Sequence, residues 1–168
     1  GPVETYLIPD TREGWVISLE KLLSGYFCKG FEGPSTGKIL FDYSAIRPEG
    51  VAIRGFGGVS SGPAPLMRMH EQIRNILEQS SGKAITITLI TDLMNLIGQC
   101  VVAGNVRRTA QIALGDAGSS EYRRLKDYRW NPDKMKYEGS QAERAAWGWA
   151  SNNSVVVDNE SDFAGLAA

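Results

Sequence analysis

Apolar residues recur at helical spacing in three stretches of the chain, and each stretch predicts an amphipathic helix. The first helix is expected over about 11–27, the second ends near Gln79, and the third reaches Val101 before Gly104 stops it. Glycine suits that position because it enters left-handed backbone space without a Cβ clash. The apolar positions that define these periods are Trp15, Leu19, Leu22, Leu23 and Tyr26, then Leu66, Met69, Ile73, Ile76 and Leu77, then Leu89, Leu93, Leu96, Ile97, Cys100 and Val101.

Two signals mark where the first two helices begin. Asp10-Thr-Arg-Glu13 has the form of a capping box, in which Asp10 would accept a helix N–H while Glu13 reaches back. Pro63 or Pro65 suits the first turn of the second helix, because the backbone N–H that proline lacks has no partner there anyway.

Three short segments have the residue types of strands. Segment 38–43 (KILFDY) is rich in β-formers, Ala110, Ile112 and Leu114 alternate with other residues, and a valine run ends at Val157. We expect these strands to be buried beneath the helices. The chain is therefore expected to have an α/β fold with helices packed on buried strands.

The segment 44–65, before the second helix, is dense in glycine and proline. Small residues let a ligand approach the backbone, Ser60 and Ser61 offer hydroxyls, and Gly62 leads to a helix N-terminus that favours an anion. The pattern is neither the dinucleotide fingerprint nor a P-loop, because no Gly-Lys-Ser/Thr follows it. A simple connection between two elements explains the same residues.

A second candidate anion site follows the third helix. Arg107 and Arg108 place two permanent cations in a turn whose backbone can expose several N–H groups, and the arginine fork binds two oxygens at once. The alternative is that both arginines pair with surface carboxylates. The residues of this turn are Gly104, Asn105, Val106, Arg107, Arg108 and Thr109.

Composition limits the remaining function classes. With 168 residues, 42% apolar and 22% charged, the chain fits one globular domain, and its net charge of −1 argues against generic nucleic-acid binding. No apolar run reaches the roughly 18 to 20 residues of a spanning helix, so a cytoplasmic protein is expected. Cys28 and Cys100 form no Cys-x-x-Cys pair and are expected to be buried thiols.

Three further features allow both a structural and a functional interpretation. His70, the only histidine, lies beside an apolar helix face without neighbouring ligands, which favours a core histidine over a catalytic one. Segment 116–146 mixes cations with aromatic residues, which is typical of a nucleic-acid patch. Acidic residues in the same segment reduce its positive charge, so a surface excursion is favoured. Asn152 and Asn153, at a strand start, would either tie backbone together or meet a polar ligand.

Several motifs together resemble one family. The order AIRPEGVAIRGFGGVSSGPAPL (45–66), DLMNLIGQCVVAGNVRRTAQIALG (92–115) and WASNNSVVVD (149–158) is similar to adenosylcobalamin-dependent, class II ribonucleotide reductases of the monomeric, triphosphate-using type. Segment 10–15 (DTREGW) also looks like that family. The resemblance covers nearly the whole chain and is weakest over 116–146.

The resemblance implies a fold, a cofactor and site residues. It implies that 1–168 is a fragment of the catalytic domain, a ten-stranded α/β barrel, with 116–146 as a surface excursion. It further implies adenosylcobalamin, a ribonucleoside triphosphate substrate, a deoxynucleotide effector and a thioredoxin-type reductant. Segment 104–109 would be the loop that links effector to substrate, and Ser60, Ser61, Gly62, Asn152 and Asn153 would be candidate nucleotide-binding residues.

The chain also departs from the family pattern. The Asn-Pro-Cys-type motif of the radical cysteine and the cysteine pair that accepts electrons from the reductant are absent, so no catalytic role is transferred to Cys28 or Cys100. Gly1-Pro2 is typical of the remnant that a processing protease leaves. We therefore expect an internal piece that needs the remaining barrel for activity. The alternatives are a non-catalytic nucleotide-binding or assembly module that complements a separate chain, and an interaction domain for nucleic acid.

Overall fold

The computed structural model describes residues 3–27, 39–55, 57–103 and 109–157. The chain divides into two compact units. The first unit comprises Gly1–Lys83 and Cys100–Arg108, and the second comprises Ala84–Gln99 and Thr109–Ala168.

The first unit is built on two long helices. Strand β1 (Thr5–Leu7) precedes helix α1 (Arg12–Phe27) and pairs in parallel with β2 (Leu40–Asp42). A small antiparallel pair, β3 (Ala52–Ile53) and β4 (Gly58–Val59), lies in the glycine-rich segment, and helix α2 (Ala64–Gln79) follows it. Pro65 lies in the first turn of α2, as predicted. The fully or nearly fully buried core residues are Ile8, Leu22, Ile46, Leu66, Met69, Ile73 and Leu77.

The second unit is built around helix α3 (Ile87–Val102), whose last three residues group with the first unit. Strand β5 (Ile112–Asp116) pairs in parallel with β8 (Asn152–Val156), so that Ile112 lies opposite Asn152. Between these strands come helix α4 (Ser120–Arg123), an antiparallel hairpin of β6 (Arg129–Asn131) and β7 (Lys136–Glu138), and two short 3-10 helices, Ala142–Ala146 and Gly148–Ala150. The buried apolar residues are Leu89, Leu96, Tyr122 and Leu125.

The predicted helices are confirmed, but the predicted cap of α1 is wrong. The Gly14 N–H donates to Thr11 Oγ1 at 3.0 Å, so Thr11 and not Asp10 caps the helix. The reason is that Asp10 Oδ2 accepts a hydrogen bond from Arg47 Nε at 2.5 Å. A carboxylate held by a guanidinium is the stronger pair, and the threonine hydroxyl then takes the helix N–H.

The prediction that the strands are buried is also wrong, because no residue of β2, β5 or β8 is buried. Leu40 in β2 is 57% exposed, and Ile112 and Leu114 in β5 are 64% and 65% exposed. One face of the β5–β8 pair is covered, because the Tyr122 ring packs against Gly115 and its hydroxyl donates to the Ala113 carbonyl at 2.6 Å. On the opposite face, the side chains of Ile112 and Leu114 are largely exposed.

Segment 116–146 is mixed in its exposure. Trp130, Met135 and Tyr137 of the hairpin region are 47%, 74% and 45% exposed, whereas Leu125 and Arg144 are buried. In the described part of the chain, no helix combines the length and apolar character that crossing a membrane requires.

Candidate functional site

The candidate site is a cleft of about 310 Å³ within the first unit. One wall is the N-terminal part of α1, and the other is the glycine-rich segment between β2 and α2. The end of α3 closes it. The lining residues are Asp10, Thr11, Arg12, Trp15, Val16, Arg47, Ile53, Val59, Ser60, Ser61, Cys100 and Val101.

The α1 wall is positioned by a tight turn. A Cβ at Gly14 would come within 2.5 Å of the Pro9 carbonyl oxygen, so only glycine lets the entering chain lie this close to the helix. The Thr11 cap fixes the first turn, which places Arg12 and Trp15 one turn apart on the cleft side. Trp15 is half-buried and Arg12 is exposed, so each presents part of its side chain to the cleft.

The glycine-rich wall is held by its own backbone. The Ser60 N–H donates to the Val51 carbonyl at 2.7 Å, and the Gly50 N–H donates to the Ser60 carbonyl at 2.9 Å. The Gly62 N–H donates to Ser60 Oγ at 3.0 Å, and Gly62 has φ +69 with Glu49 directly against it. Ser60 and Ser61 therefore line the cleft, and Gly62 shapes the turn behind them.

Arg47 and Asp10 join the two walls electrostatically. Their 2.5 Å contact is partly exposed, with 37% of the arginine side chain and 29% of the aspartate side chain accessible. The lining thus contains one carboxylate, that of Asp10, and two guanidinium groups, those of Arg12 and Arg47, which gives it one net positive charge. With the Trp15 ring and the serine hydroxyls, this set suits a ligand that combines a planar ring with anionic groups.

Sequence reasoning found Ser60 and Ser61 but not the rest of this cleft. The helical period predicts Trp15 on the core face of the helix, and the capping-box pattern predicts Asp10 as its cap. The segments DTREGW (10–15) and AIRPEG (45–50), which carry Arg12, Trp15 and Arg47, predict a helix start and part of a loop but no charged cleft. The sequence therefore contains the residues of the cleft, but no local sequence pattern shows that these two segments lie together in the fold.

The cleft lining includes none of the other predicted site residues that the structure describes. Gly104, Asn105, Val106, Arg107 and Arg108 fall outside the described residues, and Thr109 is exposed. Asn152 and Asn153 are in the second unit, at the start of β8. Asn152 is exposed, and Asn153 Oδ1 accepts a hydrogen bond from Ser151 Oγ at 3.0 Å. Their roles stay predictions.

The histidine and cysteine have no sign of catalytic activation. His70 is 2% exposed, with Ser18 Oγ at 3.0 Å from Nε2 and Tyr43 Oη at 2.7 Å from Nδ1, which confirms the core histidine. Burial raises the pKa of the Cys100 thiol to about 11, so it stays protonated at neutral pH. Cys28 lies outside the described residues. Among the residues that the structure describes, no three metal-ligating side chains form a cluster.

The hairpin separates its aromatic residues from its cations. Trp130 lies opposite Tyr137 in the register, with ring centroids 5.2 Å apart, whereas Arg129 lies opposite Glu138. Neighbouring residues of a strand point to opposite faces, so the cations and the exposed rings do not share one surface. Lys134 also pairs with Glu138 at 2.7 Å. This arrangement disfavours a nucleic-acid patch, because such a patch needs cations and exposed aromatic rings on the same face.

Comparison with known proteins identifies a family. Residues 2–77 match the family model described as B12-dependent ribonucleotide reductase, insertion domain. The chain is 47% identical over 162 residues to the adenosylcobalamin-dependent ribonucleoside-triphosphate reductase of Euglena gracilis, covering 96% of this chain and 20% of the relative. It is 41% identical over 157 residues to the enzyme of the same name from Lactobacillus gasseri, covering 94% and 19%.

A solved structure agrees with the sequence relatives. The crystal structure of a B12-dependent, class II ribonucleotide reductase matches with a TM-score of 0.75 and 36% identity, over 92% of this chain and 19% of that one. The chain thus spans about a fifth of the length of its relatives. The expected fold class, a portion of an α/β barrel, is confirmed. On these grounds, the chain belongs to the adenosylcobalamin-dependent, class II ribonucleotide reductases, of which it represents one segment.

Proposed function

We propose that this chain is the part of a ribonucleoside-triphosphate reductase that binds a nucleoside triphosphate in the cleft between α1 and the glycine-rich segment. The observation that carries the proposal is the convergence of Trp15, Arg12, Arg47 and Ser61 on one cleft. The names of the relatives support a triphosphate, because they are ribonucleoside-triphosphate reductases. The ligand would be the substrate or the deoxynucleotide effector.

Each group of the cleft has a role in this proposal. The Arg47 guanidinium keeps donors beyond the Nε–H that Asp10 accepts, and these would bind phosphate oxygens, with Arg12 adding a second cation. The exposed part of the Trp15 indole offers a ring surface for a base. The Ser61 hydroxyl would reach a sugar or phosphate oxygen, whereas Ser60 Oγ already accepts from the Gly62 N–H.

The predicted turn would couple this cleft to substrate choice. Residues 104–109 follow α3 directly, and the end of α3 lines the cleft through Cys100 and Val101. We retain Gly104–Thr109 as the proposed specificity loop. Asn152 and Asn153 stay proposed contacts on a strand that would face the inside of the parent barrel.

The activity of the parent enzyme would be reduction of ribonucleotides by radical chemistry for DNA replication. Adenosylcobalamin would generate the radical, and a thioredoxin-type protein would supply electrons. His70, a residue type that often ligates metals, has both ring nitrogens occupied within the core, so it is not free to ligate this cofactor. No step is therefore assigned to the cofactor in this segment, which we expect to be inactive alone. A cytoplasmic location stays a prediction.

The test is calorimetric titration of the 168-residue chain with the four deoxynucleoside and four ribonucleoside triphosphates, at low and moderate salt. Arg47→Ala should weaken binding about tenfold, which corresponds to the roughly 1.4 kcal/mol expected for a lost charge-assisted hydrogen bond. Arg68→Ala is the matched control, because Arg68 is exposed on α2 and does not line the cleft.

Two results would contradict the proposal. Equal weakening by Arg47→Ala and Arg68→Ala would reduce the interaction to general attraction between cations and phosphate. Absence of binding by every triphosphate would show that the cleft is not a nucleotide site in this chain. Binding that discriminates among bases would support the base-recognising role of Trp15.

A further inference from the structure

A chain of side-chain hydrogen bonds crosses the core of the first unit and ends at both walls of the cleft. It begins at the Tyr43 hydroxyl, which lies 2.7 Å from His70 Nδ1, and continues from His70 Nε2 to Ser18 Oγ at 3.0 Å. Ser18 Oγ also lies 2.7 Å from the Trp15 carbonyl oxygen. Ser18 and His70 are 0% and 2% exposed, so water does not compete for these groups.

The three contacts determine which ring nitrogen of His70 carries the proton. The Trp15 carbonyl only accepts, so the single serine hydrogen is donated to it. The Ser18 oxygen must then accept from His70 Nε2–H, which leaves Nδ1 unprotonated and able to accept from the Tyr43 hydroxyl. The opposite tautomer would lose the bond to the Trp15 carbonyl and leave the part-buried Tyr43 O–H without this acceptor, which is unfavourable.

Further contacts through the cleft connect the two ends of this series of hydrogen bonds. The Tyr43 carbonyl accepts from the Ile46 N–H at 3.0 Å, in the turn that leads directly to Arg47. Arg47 contacts Asp10 at 2.5 Å, and Asp10 stands just before α1, which carries Trp15 and Ser18. The two cleft walls are therefore joined twice: at the surface by the ion pair, and in the core through the imidazole.

We infer that His70 is a positioning residue for the nucleotide cleft, which in its Nε2–H tautomer sets the spacing between the wall bearing Trp15 and the wall bearing Arg47. This inference rests on the proposed function. His70 does not line the cleft and acts only through Ser18 and Tyr43. The Phe41 ring, stacked on the imidazole at 4.3 Å, fixes the ring plane, so the two nitrogens point at their partners without rotation.

The first test reads the tautomer directly. His70 is the only histidine, so ¹⁵N NMR of the 168-residue chain at neutral pH shows one pair of ring signals. We expect a protonated Nε2 and an unprotonated Nδ1. The opposite assignment, or a mixture of tautomers in rapid exchange, would overturn the directed chain from Tyr43 to Trp15.

The second test separates positioning from stability. His70→Phe keeps a flat ring against Phe41 but removes both hydrogen bonds, and it should weaken triphosphate binding about five- to tenfold. Leu77→Ala is the control: Leu77 is 3% exposed, lies near the other end of α2, and should lower the melting temperature while changing affinity less than about twofold. Equal loss of affinity in both variants would show that His70 is merely structural.

Milder variants keep the test informative if His70→Phe does not fold. Tyr43→Phe and Ser18→Ala each remove one end of the chain and should each produce a smaller loss of affinity. His70→Gln keeps one donor and one acceptor and should recover part of the affinity lost in His70→Phe. A set of folded variants with unchanged affinity would overturn the inference.

A readout without ligand distinguishes this inference from the proposed function. The Trp15 indole N–H and the Arg47 Nε–H signals should shift in His70→Phe and stay in place in Leu77→Ala. If the unmodified chain binds no triphosphate, the proposed function fails, and these shifts still decide whether His70 sets the geometry of the cleft. Unchanged Trp15 and Arg47 signals in His70→Phe would overturn the positioning role.

Discussion

The two units differ in how completely they satisfy their own buried polar groups. In the first unit, both nitrogens of the buried His70 have partners. In the second unit, Asp92 and Arg144 are well paired, but the buried oxygens Asn95 Oδ1 and Gln111 Oε1 have no hydrogen-bond partner among the described residues. Buried acceptors normally have partners, so these two oxygens distinguish the second unit from the first.

The strand pair of the second unit also carries exposed apolar residues. Ile112, Leu114 and Val156 lie on the open face of the β5–β8 pair and are 59% to 65% exposed. Asn95, Gln111, Ile112 and Leu114 also line a second cleft, of about 460 Å³, against α3. A cleft made of hydrogen-bonded loops can satisfy its own polar groups, whereas an isolated pair of strands leaves edge N–H and C=O groups unpaired.

The largest expected effect comes from breaking the ion pair inside the second unit. Asp92 Oδ1 accepts from Arg144 Nε at 2.8 Å, from Arg144 Nη2 at 2.5 Å and from Trp147 Nε1 at 2.7 Å. Asp92→Leu would leave a 3% exposed guanidinium without its carboxylate and should lower the free energy of unfolding by about 3 to 5 kcal/mol. Urea unfolding measures this change.

The double variant Asp92→Leu/Arg144→Met provides the control. Replacing both charges by apolar side chains of similar size should recover most of the stability, because the desolvation of an unpaired charge is then removed. A double variant as unstable as Asp92→Leu would mean that packing, and not the unpaired charge, dominates. It would also show that the second unit tolerates no change at this position.

The second prediction concerns pH and tests the first unit alone. Burial, aided by the nearby Arg74 cation, lowers the pKa of His70 from 6.5 to about 4. Between pH 6.5 and 4 the imidazole of His70 is protonated in the unfolded chain but neutral in the folded chain. The contribution of His70 to the free energy of unfolding is therefore fully present above pH 6.5 and is lost as the pH drops towards 4. The free energy of unfolding should fall by up to about 1.4 kcal/mol per pH unit, and the total loss should be about 3 kcal/mol.

His70→Phe is the matched variant for this titration, because the chain has no other histidine. Its stability should be nearly flat between pH 6.5 and 4.5, above the range where carboxylates such as Asp42, whose pKa is lowered by hydrogen bonds from Ser44, begin to protonate. A slope that persists in His70→Phe would assign the pH dependence to other groups.

Local sequence patterns predicted elements well and contacts poorly. The three helices follow from the 3.6-residue period of apolar positions such as Leu22, Ile73 and Leu96, because that period depends only on which face is buried. The burial of Ile112 and Leu114 did not follow from their alternation. Alternation shows that the two sides of a strand differ, but it cannot show whether a covering element is present in the same chain.

The candidate site illustrates the same limit. Ser60 and Ser61 were predicted because glycine, proline and hydroxyl residues in one segment are a local signal. Arg47 and Trp15 were missed because they come from different segments, and the pairing of Arg47 with Asp10 also displaced the predicted cap. The direction of the hydrogen bonds at His70 depends on three partners from separate elements, which no spacing in the sequence reveals.

A smaller change in stability is expected when helix caps are removed, and each unit offers one matched cap for the comparison. Thr11 Oγ1 accepts from the Gly14 N–H in the first unit, and Ser119 Oγ accepts from the Tyr122 N–H in the second. Thr11→Ala and Ser119→Ala should each cost about 1 kcal/mol. Differential scanning calorimetry then shows whether the units unfold together: one shared transition would shift in both variants, whereas separate transitions would shift one at a time. Thr11→Ser, which keeps the hydroxyl, should change little.

The smallest change in stability is expected from a substitution on the open face of the β5–β8 pair. Leu114→Lys should change the free energy of unfolding by less than about 0.5 kcal/mol, because a side chain that is 65% exposed loses little on becoming charged. It should also reduce self-association, measured by sedimentation velocity, since an added lysine beside an exposed strand edge disfavours pairing between copies. Leu125→Lys is the matched control, because Leu125 is 2% exposed and the buried charge should unfold the unit. A strongly destabilised Leu114→Lys would mean that this face of the β5–β8 pair is covered.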